Sequence, residues 1–189
     1  EVSRNLPIML QSMKLLQVDF PELVPILPIA STIPRKLVES CIWATGLDVQ
    51  LITGHSTQVL SAADAAVVCS GTSTLQTALL ARPMVVVYRV SWLSYLLLSR
   101  LVKVAHIALV NLIAGKRLVP ELVQKTFTAT NVRGELRYIL QNQGKTNQVV
   151  EELHHIRQQL GKGGTSARVT DALIRYMGPN SQASGGPTP

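Results

Sequence analysis

The sequence predicts an α/β fold built on a doubly wound, mostly parallel sheet, and three observations support that prediction. Short apolar segments alternate along the chain with longer segments of helical periodicity. The strand-like segments, such as "AAVVC" and "MVVVY", are continuously apolar, which is typical of parallel strands covered on both faces. Turn residues separate the two kinds of segment, as Gly71 does between residues 65–69 and 72–81. The fold class is therefore Rossmann-like.

The first two elements are a helix and a strand. Residues 5–17 carry apolar positions at helical spacing, and Pro7 is expected in the first turn, where proline is tolerated. The apolar segment 22–30 predicts a buried strand. Pro25 and Pro28 weaken that prediction, because each removes a donor from the sheet ladder.

The central part alternates regularly. Helices are predicted at 34–45, 56–64 and 72–81, and strands at 48–53, 65–69 and 84–88. A proline begins the first of these helices and a glycine ends it. Hydroxyl side chains are expected to cap the other two, Ser56 or Thr57 in one and Ser70 or Thr72 in the other.

The remainder of the chain is predicted to be largely helical. Helical segments are expected at 92–103, 120–126, 131–142, 147–160 and 166–177, with a strand at 106–110. Residues 178–189 are rich in Pro, Gly and Ser, a composition that predicts a disordered tail.

Composition and charge narrow the function classes. The chain has 189 residues, is 47% apolar and 15% charged, and is therefore not a disordered protein. Its net charge of +7 favours anionic partners, namely phosphorylated ligands, anionic lipid or nucleic acid. Seven of the basic residues but only one acid lie between Ala65 and Thr130, so we expect the partner to meet the middle of the chain. Nucleic acid is the weakest class, because aromatic residues are scarce and no nucleic-acid-binding motif is present.

Cys41 and Cys69 lie in apolar surroundings without CxxC spacing, which predicts buried thiols in a reducing compartment. No spacing of His, Cys, Asp or Glu suggests a metal site. No apolar run reaches the roughly 18 residues that a membrane-spanning helix needs.

The segment "CSGTSTLQ" suggests a phosphate held at a helix N-terminus. Gly71 permits a sharp turn and a close approach of the backbone to a ligand, and Ser70 or Thr72 can cap the helix. Thr74 offers a hydroxyl in the first turn, and Gln76, one turn further along, is placed to reach a sugar hydroxyl. The alternative is an ordinary capped helix. No GK[ST] follows, so this is not a Walker loop.

Residues 91–124 allow two structural interpretations. Trp92, Leu96, Arg100 and Lys103 combine apolar and cationic groups, as in a helix that lies at a membrane surface. The other reading is a core helix whose cations extend to solvent.

Two polar residues follow this segment. Asn111 is expected in a loop after the 106–110 strand. Glu121 is the isolated acid of the basic region, and it would either complement a helix dipole or contact a ligand hydroxyl. No convincing general base is found, and His55 is most simply a loop histidine.

The segments "AADAAVVCSGTSTLQTALLARPMVVVYR" and "RLVKVAHIALVNLIAGKRLVPELVQ" resemble the C-terminal half of bacterial lipid-A-disaccharide synthases, which are GT-B-type glycosyltransferases. The resemblance runs from Glu1 to about Tyr176 and is most specific over residues 64–124.

The resemblance implies a reaction. UDP-2,3-diacylglucosamine would give its sugar to 2,3-diacylglucosamine 1-phosphate, without a cofactor, on the cytoplasmic face of the inner membrane. The acceptor site and the catalytic base would belong to an N-terminal half absent from this chain, which explains why no catalytic residue is found here. Residues 1–163 would form the UDP-sugar-binding domain, and 164–177 a helix that crosses to that N-terminal half or to a partner subunit of a homodimer.

The resemblance also implies site residues. Ser70, Gly71 and Thr72 would hold the diphosphate, with support from Thr74. Gln76 stands where the family usually has a Glu that meets the ribose, and a neutral amide predicts a weaker contact. Three further substrate-binding residues match family motifs, namely Asn111, Glu121 and Gln124.

Two cations complete the predicted site. Arg89 and Lys116 are candidates to stabilise the departing UDP. The alternative to an enzyme is a non-catalytic protein, a module that binds anionic lipid through residues 91–117.

Overall fold

A computed structural model describes residues 2–89 and 106–160, and the structural statements below refer to these residues. The helices are α1 (Val2–Asp19), α2 (Arg35–Thr45), α3 (Ser56–Ala62), α4 (Thr72–Leu79), α5 (Leu109–Ala114), α6 (Ala129–Gln141) and α7 (Gln143–Leu160). The strands are β1 (Ile26–Ile29), β2 (Gln50–Thr53), β3 (Ala66–Cys69), β4 (Met84–Tyr88) and β5 (Glu121–Val123). A 3₁₀ turn, Gln124–Thr126, follows β5.

The described strands pair only in parallel, which confirms the predicted fold class. They lie in two open sheets, a two-stranded one of order β1-β2 and a three-stranded one of order β3-β4-β5. The carboxyl ends of parallel strands share one edge of a sheet, so the residues that follow β3, β4 and β5 come together.

The three-stranded sheet is covered on both faces, as continuously apolar strands predict. Val86 of β4 packs with α4, α5 and α7, while Val85 and Val87 face α1 and α6. Each of these valines is at most 1% exposed. Burial of a side chain of this size contributes roughly 1.5–3 kcal/mol, so this strand anchors the edge on which the site is built.

Helix α1 serves both sheets. Its first half packs Leu6 and Leu10 against β1 and α2, and its second half packs Leu16 against α6 and the three-stranded sheet. The helix begins several residues earlier than predicted, so Pro7 lies inside it rather than in its first turn. Cys41 and Cys69 form no disulfide, and both are half-buried rather than fully buried.

A two-point ion pair joins the end of α1 to α6. The Arg133 Nε and Nη2 groups donate to the two Asp19 carboxylate oxygens at 2.6 and 2.7 Å. Arg137 Nη1 lies 3.8 Å from the same carboxylate. The hydrogen bond from Arg133 is the main reason that the pKa of Asp19 lies below its ordinary value.

We predict that this ion pair makes the free energy of unfolding depend on pH. A depressed folded-state pKa means that the stabilisation is fully present above the unfolded-state pKa, about 3.9, and is lost as the pH falls through the folded value. Asp19→Asn should therefore be less stable than the parent at pH 7, and the difference should shrink in acid. Urea unfolding between pH 7 and pH 2.5 measures this, with Asp48→Asn, an exposed carboxylate, as the control. A difference that stays constant with pH would contradict the prediction.

Several boundary and type predictions are wrong. The first strand starts at Ile26 rather than at residue 22. The carbonyls of Pro25 and Ile29 accept from the N–H groups of Gln50 and Gly54, at the two ends of β2. Because alternate residues of a strand face the same neighbour, the nitrogen of Pro28 faces away from β2, and its missing N–H costs that pairing nothing. Residues 106–110 are not a strand, since α5 begins at Leu109, and residues 120–126 are β5 and a 3₁₀ turn rather than a helix.

Candidate functional site

The candidate site lies at the carboxyl edge of the three-stranded sheet. Ser70 follows β3, Arg89 follows β4 and Gln124 follows β5, so three polar side chains predicted for the site share this edge. In doubly wound sheets this edge is the usual place for ligands.

The turn after β3 has a conformation that requires glycine. Gly71 is the N-cap of α4, with φ 148° and ψ −160°, a region that is essentially restricted to glycine. A Cβ built on Gly71 would meet no heavy atom of the described residues within 4 Å. The backbone angles, rather than crowding by the protein, therefore fix the residue type.

The predicted side-chain cap of α4 is wrong. Neither Ser70 nor Thr72 caps the helix, whose N-cap side-chain hydrogen bond is missing among the described residues. Instead the fully buried Thr74 donates its hydroxyl to the carbonyl of Gly71 at 2.7 Å. Thr74 thus braces the turn from beneath. The N–H groups of Thr72 and Ser73 are left without a hydrogen-bond partner in the described part of the chain, as at an uncapped helix start.

Gln76 lies one turn further along α4 and connects it to α3. Its Nε2 donates to Thr57 Oγ1 at 2.9 Å and lies 3.5 Å from Ser56 Oγ. Those two hydroxyls do not cap α3 as predicted, because the N-cap is His55, with a left-handed φ of 53°. The amide nitrogen of Gln76 is thus used by the protein, while its oxygen has no hydrogen-bond partner in the described part of the chain.

Glu121 lies in β5, so the prediction that it begins a helix is wrong. Its side chain is 12% exposed and accepts from Ile107 N at 3.0 Å and from Ala108 N at 3.1 Å. His106 Nδ1 lies 3.9 Å from the same carboxylate. The carboxylate therefore holds the short segment that precedes α5.

Asn111 is in α5 rather than in a loop, and it is fully buried. Its Nδ2 donates to Glu121 Oε1 at 2.7 Å and to the Val119 carbonyl at 2.9 Å. Its Oδ1 accepts from the N–H groups of Leu118 and Val119, each at 2.9 Å. Every hydrogen-bonding position of this amide is thus directed at the protein.

The two predicted cations are both engaged. Arg89 Nη2 donates to the carbonyls of Gln124 and Phe127, and its guanidinium carbon lies 5.5 Å from the Phe127 ring centroid. Lys116 pairs with Glu152 at 2.7 Å, which lowers the pKa of Glu152. Arg89 therefore shapes the turn after β5.

Gln124 occupies that turn. It has a positive φ of 53°, unusual for a residue other than glycine. Its Nε2 is buried and has no hydrogen-bond partner among the described residues. A donor of this kind at a ligand-binding edge is suited to a ligand acceptor.

Sequence reasoning missed the contacts that join these residues. Ser70 Oγ donates to the Ile107 carbonyl at 3.3 Å, so Ser70, Glu121 and Asn111 form one connected group through Ile107. Gln76 is tied to α3 instead. The isolation of Glu121 in a basic region was the available signal, but two of its three hydrogen-bond donors are backbone groups, which sequence motifs do not record.

Several predictions fall outside the described residues or away from the site. Trp92, Leu96, Arg100 and Lys103 lie outside the described residues, as do the segments 164–177 and 178–189. No helix within the described ranges is long and apolar enough to cross a membrane. In the same ranges, no three His, Cys, Asp or Glu side chains come together as metal ligands.

Two clefts lie away from this edge. One, of about 630 Å³, is lined by α2 and β2 residues around Trp43. Another, of about 290 Å³, lies between α6 and α7, near the amino ends of β4 and β5. Neither is lined by a predicted site residue, so both clefts are separate from the candidate site.

Parallel sheets with a glycine turn leading into a helix at the carboxyl edge define a Rossmann-like α/β protein. Residues 1–173 match the family model of the lipid-A-disaccharide synthetases. The chain belongs to that family.

Relatives support the assignment. The chain is 39% identical over 178 residues to a lipid-A-disaccharide synthase of Anaeromyxobacter sp. (strain K). The matched region covers 94% of this chain and 46% of the relative. It is 41% identical to one from Syntrophus aciditrophicus, covering 89% of this chain and 44% of the relative. For Myxococcus xanthus the identity is 36%, with 95% and 47% covered. The chain thus spans about half the length of the curated relatives it matches.

Proposed function

We propose that this chain forms the UDP-sugar-binding part of a glycosyltransferase of lipid A biosynthesis. The whole enzyme would join UDP-2,3-diacylglucosamine to 2,3-diacylglucosamine 1-phosphate, giving lipid A disaccharide 1-phosphate and UDP. Family membership supports the reaction class, and the name of the relatives, lipid-A-disaccharide synthase, supports the product.

One observation carries the nucleotide-binding proposal. The N–H groups of Thr72 and Ser73 follow the glycine turn, and the described residues offer them no hydrogen-bond partner and leave the space at the Gly71 Cα unfilled. Backbone N–H groups and the helix dipole together favour an anion such as a diphosphate. The same donors would stabilise the charge on UDP as the bond between the sugar C1 and the diphosphate breaks.

The side chains take different roles in this proposal. Ser70 would share its hydroxyl hydrogen between the Ile107 carbonyl and a phosphate oxygen, which is feasible because the present bond is long, 3.3 Å. The free oxygen of Gln76 would accept from a ribose hydroxyl, and the unpartnered Nε2 of Gln124 would donate to the ligand.

Other parts of the proposal concern the rest of the enzyme. The catalytic base and the acceptor site would come from an N-terminal half. Because both substrates carry acyl chains, the enzyme would work on the cytoplasmic surface of the inner membrane, with residues 92–103 as a contact and a homodimer as a possible assembly.

Calorimetric titration of the chain with UDP tests the proposal. We expect a Kd below about 1 mM, that is, −4.1 kcal/mol or better, and no binding of uridine, which lacks the phosphates. A module that binds only anionic lipid would show no binding of UDP and would bind vesicles of anionic lipid. That result would overturn the proposed function.

We predict that Gln76→Glu strengthens UDP binding, by up to about tenfold. A carboxylate can accept from the Thr57 hydroxyl and still accept from a ribose hydroxyl, and charge-assisted hydrogen bonds are about twice as strong as neutral ones. Affinity for pyrophosphate, which has no ribose, should not rise. Gln58→Glu, an exposed change on α3, is the charge-matched control. An equal gain for pyrophosphate, or none for UDP, would contradict a ribose contact.

A further inference from the structure

The segment before α5 is held from both sides by site residues. The N–H of Ile107 donates to Glu121 Oε2 at 3.0 Å, and its carbonyl accepts from Ser70 Oγ at 3.3 Å. One residue therefore bridges a carboxylate on β5 and a hydroxyl at the end of β3, across the intervening strand β4.

The Glu121 carboxylate is held in place by hydrogen bonds from the protein. Glu121 lies opposite Val86 in the β4–β5 pairing, so its side chain projects from the sheet face covered by α4, α5 and α7. It is 12% exposed and accepts from two backbone N–H groups and from Asn111 Nδ2. These bonds use three of the roughly four acceptor positions of the carboxylate, and the side chain is only 12% exposed, so little of it is left for a ligand hydroxyl.

Asn111 completes the arrangement. This fully buried amide is fixed by three backbone groups of residues 118 and 119 as well as by Glu121. It therefore orients the carboxylate without any contact to the open edge of the sheet.

We propose that Glu121 and Asn111 are positioning residues, a clamp that sets segment 106–108 against Ser70 and so shapes the diphosphate site, rather than groups that bind the substrate. The inference rests on the proposed function for its ligand, but the clamp itself is a property of the fold. It predicts that the loss of Glu121 is felt by whatever binds next to Ser70, whether or not that ligand has a ribose.

Glu121→Gln is the informative change, because it keeps the size and one acceptor. Its NH₂ group would face a backbone N–H, donor against donor, so at least one of the bonds to Ile107 and Ala108 is lost. We expect amide exchange at Ile107 and Ala108 to quicken about tenfold or more, with the core amides of Val86 and Leu122 unchanged. Unchanged protection at Ile107 and Ala108 would overturn the clamp, and this measurement needs no ligand.

Binding by the full chain supplies the second readout. UDP and inorganic pyrophosphate should lose affinity by the same factor, roughly tenfold, in Glu121→Gln. The losses from Glu121→Gln and Ser70→Ala should not add, because Glu121 acts through the position of Ser70. Glu151→Gln, an exposed carboxylate on α7, should change neither affinity.

The outcomes separate the two proposals. A loss for UDP but not for pyrophosphate, or fully additive losses, would mean that Glu121 contacts the nucleoside, and the positioning role would be wrong. If the parent chain binds neither probe, the proposed function fails, while faster exchange at Ile107 and Ala108 would still establish the clamp.

Discussion

Replacing Gly71 by alanine should weaken UDP binding by roughly tenfold to a hundredfold. The conformation of Gly71, with φ 148° and ψ −160°, is essentially closed to residues that carry a Cβ, and forcing one costs of order 1–3 kcal/mol. The turn would relax, and the N–H groups of Thr72 and Ser73 would no longer point where the diphosphate is expected. The new methyl group would also occupy space in which the described residues place no atom within 4 Å, the space that the proposal assigns to the ligand.

The matched control is Gly46→Ala. Gly46 also has a positive φ, 62°, but it ends α2 beside the other sheet. Both variants should lose stability, and only Gly71→Ala should lose UDP affinity. Calorimetry with UDP and urea unfolding measure the two effects. Equal UDP affinity in the parent and in Gly71→Ala would contradict the role given to this turn.

Replacing Phe127 by alanine should lower the free energy of unfolding by about 3–5 kcal/mol, more than any other substitution proposed for this chain. Phe127 is the largest fully buried side chain of the described residues and packs with Leu16, Val85 and Leu136. Its removal leaves a cavity beneath the turn after β5 and takes away the ring beneath Arg89. UDP affinity should fall as well, because Arg89 holds the carbonyl of Gln124.

Tyr138→Ala is the control for this prediction. Tyr138 is an aromatic residue of α6 that is 51% exposed, so its loss should cost much less stability. Urea unfolding of the two variants at pH 7 compares them directly. Similar losses in both would mean that Phe127 is not part of the core that supports the site.

Helix α2 and strand β4 were predictable because local and tertiary signals agree there. The helix at 34–45 begins after Pro34 and ends at Gly46 as predicted, and β4 has the predicted bounds. Continuous apolar strands implied a sheet covered on both faces, which β4 confirms.

The second half was less predictable because tertiary contacts override local preference. Residues 106–110 have the apolar run of a strand, yet Glu121 binds the backbone of Ile107 and Ala108 and α5 begins directly after them. Pro120 and Glu121 resemble a helix start, but Glu121 and Leu122 pair with β4. A strand of three residues has too few side chains to give a recognisable sequence pattern.

The place of Ser70, Arg89 and Gln124 at the carboxyl edge of the sheet was predictable, but the contacts among the residues of the candidate site were not. The glycine turn was found because its residue type follows from backbone geometry alone. The N-caps of α3 and α4 were assigned to nearby hydroxyls, although His55 and Gly71 hold those positions. Asn111 and Glu121 were matched to the site by motif, while their partners, set by folding, could not be known.

The most direct test of the central claim is an amide NMR titration of the chain with UDP. The proposed site predicts that the largest shifts fall on the N–H groups of Gly71, Thr72 and Ser73, with smaller shifts at Ser70 and Gln124, and that inorganic pyrophosphate reproduces those at Thr72 and Ser73. Shifts that leave the start of α4 unchanged, or that centre on the cleft beside Trp43 or the one between α6 and α7, would contradict it.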